Sequence, residues 1–185
     1  MEMSFYATIV RWISEDPMRM DALESARSLN MPDWCLAAGF VRNLLWDRLH
    51  GFEQTTSLND IDLIYFDDLN TDKNIDRALE YRLRTKDSLP WSVKNQARMH
   101  TRNSDGPYSS TEDAMSYWVE VETAVGAALS NNGQIRIVAP FGVDQLFQYS
   151  ITPNPKRLKM EQFEQRIRKK GWLQTWPELA VNHSK

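Results

Sequence analysis

The segment at residues 59–67 constrains the fold more than any other part of the sequence. Its apolar stretch, residues 61–66, is rich in β-branched and aromatic side chains and is bounded by polar clusters, which predicts a buried β-strand. Because side chains alternate between the two faces of a strand, Asp60 and Asp62 should point the same way. The apolar residues next to them should point into the opposite layer.

The two aspartates form a pair of like charges on one face of this strand. Such neighbours repel, and each raises the pKa of the other. A divalent cation relieves the repulsion, and Mg²⁺ in proteins is held by one or two carboxylates together with the oxygens of a substrate phosphate. Asp60 and Asp62 are therefore candidate metal ligands and catalytic residues. The alternative is that Asp60 ends a turn before the strand and Asp62 is a solvated edge residue.

The preceding segment predicts an apolar strand from about Trp34, a tight turn at Ala38 and Gly39, and then a helix that stops near Gly51. A turn of small residues that opens a helix offers free backbone N–H groups to an anion, and the helix dipole favours negative charge there. Arg42, in the first helical turn, can add a charge-assisted hydrogen bond to a phosphate. Alternatively, Gly39 only permits the turn and Arg42 pairs with an acidic neighbour.

Two motifs in these segments resemble the signature of nucleotidyltransferases of the DNA polymerase β superfamily, which is Gly-Gly-x-x-Arg-Asp followed by Asp-x-Asp. They are Ala38-Gly39-Phe40-Val41-Arg42-Asn43 and Asp60-Ile61-Asp62-Leu63. The similarity is greatest to the head domain of tRNA nucleotidyltransferases. Residues 91–100, 139–142 and 153–155 further resemble a group of small bacterial nucleotidyltransferase-like proteins. The resemblance implies an α+β fold of the DNA polymerase β type, in which a mixed sheet is flanked by helices.

The resemblance also implies a reaction, in which a nucleoside monophosphate moves from a nucleoside triphosphate to an acceptor hydroxyl with Mg²⁺ or Mn²⁺ as cofactor. Asp60 and Asp62 would be the catalytic metal ligands. Nucleotide binding would fall to the first motif and the strand that follows, at Ala38, Gly39, Arg42, Asn43 and Lys94. The acceptor can be a small molecule, a protein or RNA, and the sequence does not distinguish between them.

Two departures from the family pattern bear on catalysis. Active members usually carry a third acidic residue on the neighbouring strand, but residues 91–96 contain no Asp or Glu, and Ser92 stands at that position. Asn43 replaces the usual Asp. Acidic residues elsewhere are candidates for the missing carboxylate, namely Asp67, Glu120 and Glu122. The alternative function is therefore a catalytically impaired nucleotidyltransferase-fold module that senses nucleotides or binds a partner.

Basic and imidazole side chains in and after this strand have several possible roles. Lys94 can bind a triphosphate or, when no metal is present, pair with Asp62. Arg98 and His100 should continue along the same strand face, where they can line a pocket or serve the structure. The histidines His50, His100 and His183 do not lie at metal-ligand spacing, so no zinc site is predicted.

The chain of 185 residues is predicted to form a single domain, residues 1–185, with its core at about residues 34–150. Periodicity and capping residues place further elements around this core: N-terminal helices within residues 3–29, a helix at 72–86, a strand at 91–95, a helix at 110–118, a β-hairpin at 125–138 and a charged helix at 156–170. Strands that alternate with helices argue for a sheet with helices packed against it. The polar loop at residues 53–59 is interpreted as a connector, with a mobile substrate loop as the alternative.

Charge and composition limit the possible partners. The formal net charge of −3 gives no overall attraction to nucleic acid. Basic residues concentrate in and just before the charged C-terminal helix, at Lys156, Arg157, Lys159, Arg166, Arg168, Lys169 and Lys170. We interpret this cluster as a solvated helix face, with contact to a phosphate-bearing acceptor such as RNA as the alternative. Cys35 lies in an apolar run and should be buried and unreactive. The sequence shows no leader or membrane-spanning stretch, which predicts a cytoplasmic protein without membrane partners.

Overall fold

The computed structural model describes residues 4–183, so the predicted helix start at Met3 lies outside the described residues. The helices are α1 (Phe5–Ser14), α2 (Pro17–Arg27), α3 (Gly39–Leu49), α4 (Lys73–Lys86), α5 (Met99–Asn103), α6 (Thr111–Met115), α7 (Met160–Lys170) and α8 (Trp172–Thr175). The strands are β1 (Cys35–Ala37), β2 (Ile61–Tyr65), β3 (Trp91–Asn95), β4 (Gly126–Leu129), β5 (Ile135–Val138), β6 (Ser150–Ile151) and β7 (Ala180–Val181). Short 3₁₀ helices at Gln96–Arg98 and Asp144–Phe147 follow β3 and β5.

The main sheet has the strand order β3-β2-β1-β4-β5. Strands β2 and β3 are parallel and are joined through α4, whereas β1 pairs antiparallel with both β2 and β4, and β4 pairs antiparallel with β5. This mixture of parallel and antiparallel pairs with flanking helices confirms the expected α+β fold. It places the turn that precedes α3 beside the strand that carries Asp62, because Ala37 lies opposite Asp62 in the register.

Local sequence explains where the helices begin. Asp16 caps α2 by accepting a hydrogen bond from the Arg19 amide, and Pro17 takes the first helical position. Asp72 caps α4 in the same manner, at the predicted start of that helix. The charged C-terminal helix, α7, begins at Met160 rather than at residue 156, and it ends where Gly171 adopts a φ of 66°.

Two predicted helices are shorter in the structure. The segment before α7 is not helical, because Arg157 pairs with Asp105 at 2.8 Å and holds the chain against the loop that follows α5. Helix α6 does not reach residue 118, and its predicted capping box is incomplete. The Ser110 hydroxyl accepts from the Asp113 amide, but Asp113 accepts from Ser109 instead of completing the box with Ser110.

Arg98 and His100 do not continue β3 as predicted. The Asn95 side chain accepts a hydrogen bond from the Ala97 amide and turns the chain into the 3₁₀ helix that leads to α5. Arg98 instead forms an ion pair with the buried Asp76. Because Asp76 also accepts from the Tyr65 hydroxyl at 2.7 Å, this cluster fixes α4 to the ends of β2 and β3.

One face of the sheet is buried in the main core. Along β2 and β3, the side chains of Ile61, Leu63, Trp91 and Val93 are fully or almost fully buried. Cys35 on β1 is also buried, and this burial raises the pKa of its thiol, which confirms the expectation of an unreactive cysteine. The opposite face of β2 and β3 is left for the polar residues of the site.

A second apolar cluster joins α3 to the C-terminal segment, through Trp46, Ile151, Phe163, Trp172, Trp176 and Leu179. Strand β7 also pairs in parallel with β6. These contacts fix α7 and α8 beside α3, so the C-terminal segment forms a wall next to the polar face of the sheet. Within residues 4–183, no helix combines the length and apolar character needed to cross a bilayer.

Candidate active site

A cleft of about 990 Å³ opens at the polar face of β2 and β3. Its lining includes the start of α3, the edge formed by β2 and β3, and the C-terminal helices α7 and α8. Every residue that the sequence analysis selected for the site lies along this cleft: Ala38, Gly39, Arg42, Asn43, Asp60, Asp62 and Lys94. The fold therefore brings together residues that are up to 56 positions apart in the sequence.

The two aspartates lie together in this cleft. Asp60 is exposed and immediately precedes β2, whereas Asp62 lies within β2, between Ala37 on β1 and Ser92 on β3. Burial and the neighbouring charge of Asp60 raise the pKa of Asp62 to about 6. The cations Lys170 and Arg42, and the adjacent Ser92 hydroxyl, oppose this rise. A half-buried carboxylate held beside a second carboxylate is a site that favours a bound cation.

The third carboxylate of active family members has no replacement in the cleft that is free to bind a metal. Within residues 4–183 no group of three or more His, Cys, Asp or Glu side chains is arranged to hold a metal ion. Asp67 caps the turn after β2, Glu122 accepts from Ser150 and Thr152, and Glu120 is bound to Arg166. The donors beside Asp62 are therefore Asp60 and the Ser92 hydroxyl, and this oxygen set fits Mg²⁺ if substrate phosphates complete its coordination.

The turn before α3 differs from the expected glycine turn. The residue with positive φ is Ala38, with φ 57° and ψ −121°, and Gly39 is the first residue of the helix. A Cβ atom on Gly39 would lie 3.4 Å from the Asn43 side-chain amide, so glycine here allows that side chain to approach. Within the described chain no side chain caps α3, which leaves its first N–H groups available to an anion.

Arg42 is held rigidly rather than extended into the cleft. Its side chain is 6% exposed, and its guanidinium lies 4.9 Å from the ring centre of Trp46 and 4.6 Å from that of Trp172. It donates to Thr123 Oγ1 at 2.8 Å and to Asn43 Oδ1 at 2.9 Å. Burial lowers the pKa of Arg42 to about 10, so the group remains charged at neutral pH. The alternative in which Arg42 pairs with an acidic neighbour is wrong, because its partners are neutral oxygens.

Lys94 shares the cleft face of the sheet with Asp62 and Ser92. Its register partner on β2 is Ile64, two residues beyond the Asp62–Ser92 pair. The Lys94 ammonium donates to the Val93 carbonyl at 3.1 Å and not to Asp62, so the alternative in which these two side chains pair is not formed. The ammonium lines the same cleft as the carboxylates and has hydrogen-bonding capacity left for a ligand.

Two segments contribute to the cleft although the sequence interpretation had placed them outside any site. Residues 56–59, from the loop taken as a connector, line the cleft. Several members of the basic cluster also line it, at Arg157, Lys159, Arg166 and Lys170. Arg157 and Arg166 are bound to Asp105 and Glu120, so the solvated-face interpretation is wrong for these two residues. In the sequence, the loop is recognisable by its polar residues and the helix by its charged residues beside a thin apolar stripe. Only the packing of α7 against α3 determines which way the charged residues face.

The sequence matches the profile of a family described as nucleotidyltransferase, over residues 24–181. The chain belongs to this nucleotidyltransferase family. The match covers most of the chain and includes every residue of the candidate site. A search of curated proteins gives no match.

Several solved structures are similar to this nucleotidyltransferase. An NMR structure described as revealing a CCA-adding enzyme head domain is 31% identical, with a TM-score of 0.84, and the alignment covers 95% of both chains. The complex of a CCA-adding enzyme with CTP is 13% identical with a TM-score of 0.63, and an apo tRNA-processing enzyme is 12% identical with a TM-score of 0.56. The present chain spans 43% and 44% of the length of these last two proteins, and at this identity they show the fold alone.

Proposed function

We propose that this nucleotidyltransferase moves a nucleoside monophosphate from a nucleoside triphosphate to an acceptor hydroxyl, with Mg²⁺ or Mn²⁺ held by Asp60 and Asp62. The observation that carries the proposal is the position of this carboxylate pair, which shares one cleft with the uncapped start of α3. A cation site beside an anion site matches a metal-bound triphosphate. The CTP complex of a CCA-adding enzyme supports the choice of ligand, since its fold is similar. A cytoplasmic location stays a prediction from the sequence.

Each part of the cleft has a task in this reaction. The acceptor oxygen attacks the α-phosphate, and pyrophosphate leaves. The N–H groups at the start of α3 bind phosphate oxygens, and Lys94 neutralises part of the triphosphate charge. Arg42 acts through its neighbour, because it fixes the Asn43 side chain at the edge of the phosphate site. A divalent cation, when bound, supplies activation of the acceptor hydroxyl and neutralisation of the leaving oxygens.

A second candidate is a module that binds nucleotides but does not transfer them. The observation in its favour is Ser92, which lies beside Asp62 at the position where active family members carry a third carboxylate. A hydroxyl binds a metal ion more weakly than a carboxylate does, so the cation that activates the acceptor would be weakly held. Nucleotide binding would survive this change, whereas turnover would not.

A thermal-unfolding panel tests nucleotide binding. ATP, CTP, GTP and UTP are added with and without Mg²⁺ to the wild type and to Asp62→Asn. A ligand at about 100 times its Kd stabilises the folded state by roughly 2.7 kcal/mol, which raises Tm by several degrees. We expect a shift that requires Mg²⁺ and disappears in the variant. No shift with any nucleotide at millimolar concentration would reject the donor site.

A pyrophosphate-release assay then separates the enzyme from the binding module. The wild type is incubated with the stabilising nucleotide, Mg²⁺ and candidate acceptors of each class. Release that depends on an acceptor and is lost in Asp62→Asn supports the transferase. Metal-dependent binding without release under any acceptor supports the non-catalytic module.

A further inference from the structure

One face of α7 carries only basic and amide side chains, and this face borders the cleft. Positions three or four residues apart fall on one side of a helix. Six residues at such spacings line the cleft or its extension: Lys159, Gln162, Gln165, Arg166, Lys169 and Lys170. We name this set the α7 basic face. Both acidic residues of α7, Glu161 and Glu164, lie outside it, although the protein as a whole has a net charge of −3.

The remaining sides of α7 have other functions. Phe163 is fully buried, and Met160 and Ile167 pack with it into the C-terminal apolar cluster. Arg168 is 71% exposed and lies within 3.8 Å of Glu164 on the same helix. Packing therefore fixes the rotation of α7, so the basic face must point to the cleft.

The cations of this face are largely uncompensated. Arg166 is bound in a bidentate manner to the buried Glu120, with N–O distances of 2.5 and 3.2 Å, and this pair anchors the middle of the helix. Lys159, Lys169 and Lys170 have no carboxylate within 4.0 Å among residues 4–183. Three ammonium groups thus line one wall of a groove without a protein partner.

The groove is longer than one nucleotide needs. From Lys159 to Lys170 the helix rises by about 16 Å, which exceeds the length of a triphosphate. Beyond the main cleft, a second cavity of about 510 Å³ continues along the C-terminal part of α7 and shares Asn59, Gln165, Arg166 and Lys170 with it. A small-molecule site rarely exceeds about 1,000 Å³, and the two cavities together are larger than that.

Aromatic rings line the same groove. Tyr117 and Trp118 are partly buried in its wall. The Tyr117 ring already contacts the Lys156 ammonium, 3.9 Å from its centre, and the Tyr108 ring, 5.2 Å away, which leaves Trp118 as the ring for a base to stack on. A cationic groove that follows a backbone, combined with aromatic side chains on which bases stack, is the arrangement that binds single-stranded nucleic acid. Neutral amides such as Gln162 and Gln165 bond equally to phosphate, sugar and base edges.

We propose that the α7 basic face binds the phosphodiester backbone of a single-stranded nucleic acid, whose terminal hydroxyl enters the cleft as the acceptor. The proposal rests on the nucleotidyl transfer proposed above and names its acceptor class. The strand runs along α7, with phosphates at Lys159, Lys169 and Lys170 and bases directed towards Trp118. A phosphorylated small molecule would engage only one end of this face, and a duplex would keep its bases paired and unable to stack on Trp118.

Fluorescence anisotropy with end-labelled oligonucleotides tests this surface. The probes are a single-stranded RNA, a DNA strand of the same sequence and a perfect RNA duplex, titrated between about 50 and 200 mM salt. Three phosphate contacts on a single strand give a slope of about −2 in log affinity against log salt, which is a loss of roughly 20-fold over this range. Comparison of the affinities for the RNA and DNA strands shows which of the two nucleic acids the surface prefers.

The test variant is Lys159→Gln/Lys169→Gln/Lys170→Gln, and its matched control is Lys73→Gln/Arg82→Gln/Lys86→Gln. The control removes the same number of charges from exposed positions of α4, away from the cleft. We expect the test variant to lose about tenfold or more in affinity at low salt and most of the salt slope, while the control stays within about twofold. Equal weakening in both variants, unchanged binding in the test variant, or a preference for the duplex would overturn the proposal.

Nucleotide binding by the wild type keeps the two proposals separate. If a triphosphate with Mg²⁺ stabilises the wild type but no single strand binds, the α7 proposal fails and the transferase proposal stands. If a single strand binds through α7 and no triphosphate does, the α7 surface stands and the transferase proposal fails.

Discussion

The protonation of Asp62 should make the stability of the protein depend on pH in a direction opposite to that of most carboxylates. Its pKa rises from 3.8 to about 6 on folding, chiefly through burial and then through Asp60. The folded state therefore binds this proton more tightly than the unfolded chain does. The resulting stabilisation is fully present below about pH 4 and is lost as the pH rises through about 6.

The size of the effect follows from this difference in pKa. It corresponds to about 3 kcal/mol as an upper value, because each pKa unit is worth about 1.4 kcal/mol. Water that enters the cleft and rotation of the side chain reduce it, so we expect about 2 kcal/mol. Asp62→Asn removes the charge, keeps the shape and still accepts a hydrogen bond. At pH 7.5 and without metal, the variant should be more stable than the wild type by about 2 kcal/mol.

Urea unfolding at a series of pH values between 4 and 8 measures this difference. The wild-type and variant curves should converge near pH 4 and separate as the pH rises, because titrating groups distant from Asp62 contribute equally to both proteins. Asp68→Asn serves as a control, since Asp68 is exposed beyond the end of β2, and it should change stability by less than about 0.5 kcal/mol. A variant that is less stable than the wild type at pH 7.5 would refute the reasoning.

Three further substitutions test other parts of the site. Ser92→Asp adds a third carboxylate beside Asp62 and should tighten Mn²⁺ binding to the nucleotide-free protein by about tenfold, as measured by calorimetry. Ser92→Asn should not tighten it, and equal Mn²⁺ affinities of the two variants would contradict the metal assignment. Ala38→Gly should raise Tm by about 2 °C, since relief of about 1–3 kcal/mol of backbone strain exceeds the entropic cost of glycine. A fall in Tm would show that the backbone at Ala38 is not strained. Arg42→Lys should lower the free energy of unfolding by about 2 kcal/mol in urea, because lysine keeps the charge but loses the paired contacts and the stacking on Trp46 and Trp172; a loss below about 0.5 kcal/mol would contradict the positioning role.

Short-range patterns were sufficient for the elements around the site. The strand at residues 61–65, the cap at Asp72 and the glycine at position 133 of the β-hairpin are each specified by residues within a few positions of one another. Alternation along β2 also placed Asp60 and Asp62 in the same cleft without knowledge of the sheet. These features could be predicted because local geometry decides them.

Features that depend on distant contacts could not be predicted in this way. The residue type suggests that Gly39 permits the turn before α3, whereas the positive φ falls at Ala38. The burial of Arg42 depends on Trp172, which is 130 positions away in the sequence. No periodicity within α3 indicates such a partner.

The orientation of α7 also depends on distant contacts, and it determines that basic residues line the cleft. Its basic residues are compatible with a solvated face as long as the position of Phe163 is unknown. Once Phe163 and Trp172 pack with Trp46 in one cluster, the helix cannot rotate. Lys170 is then close enough to Asp62 to oppose part of the rise in the pKa of Asp62. The contact that buries Arg42 therefore also directs the basic face into the cleft. Loss of Trp172 should disturb the start of α3 and the α7 wall together, because one apolar cluster supports both.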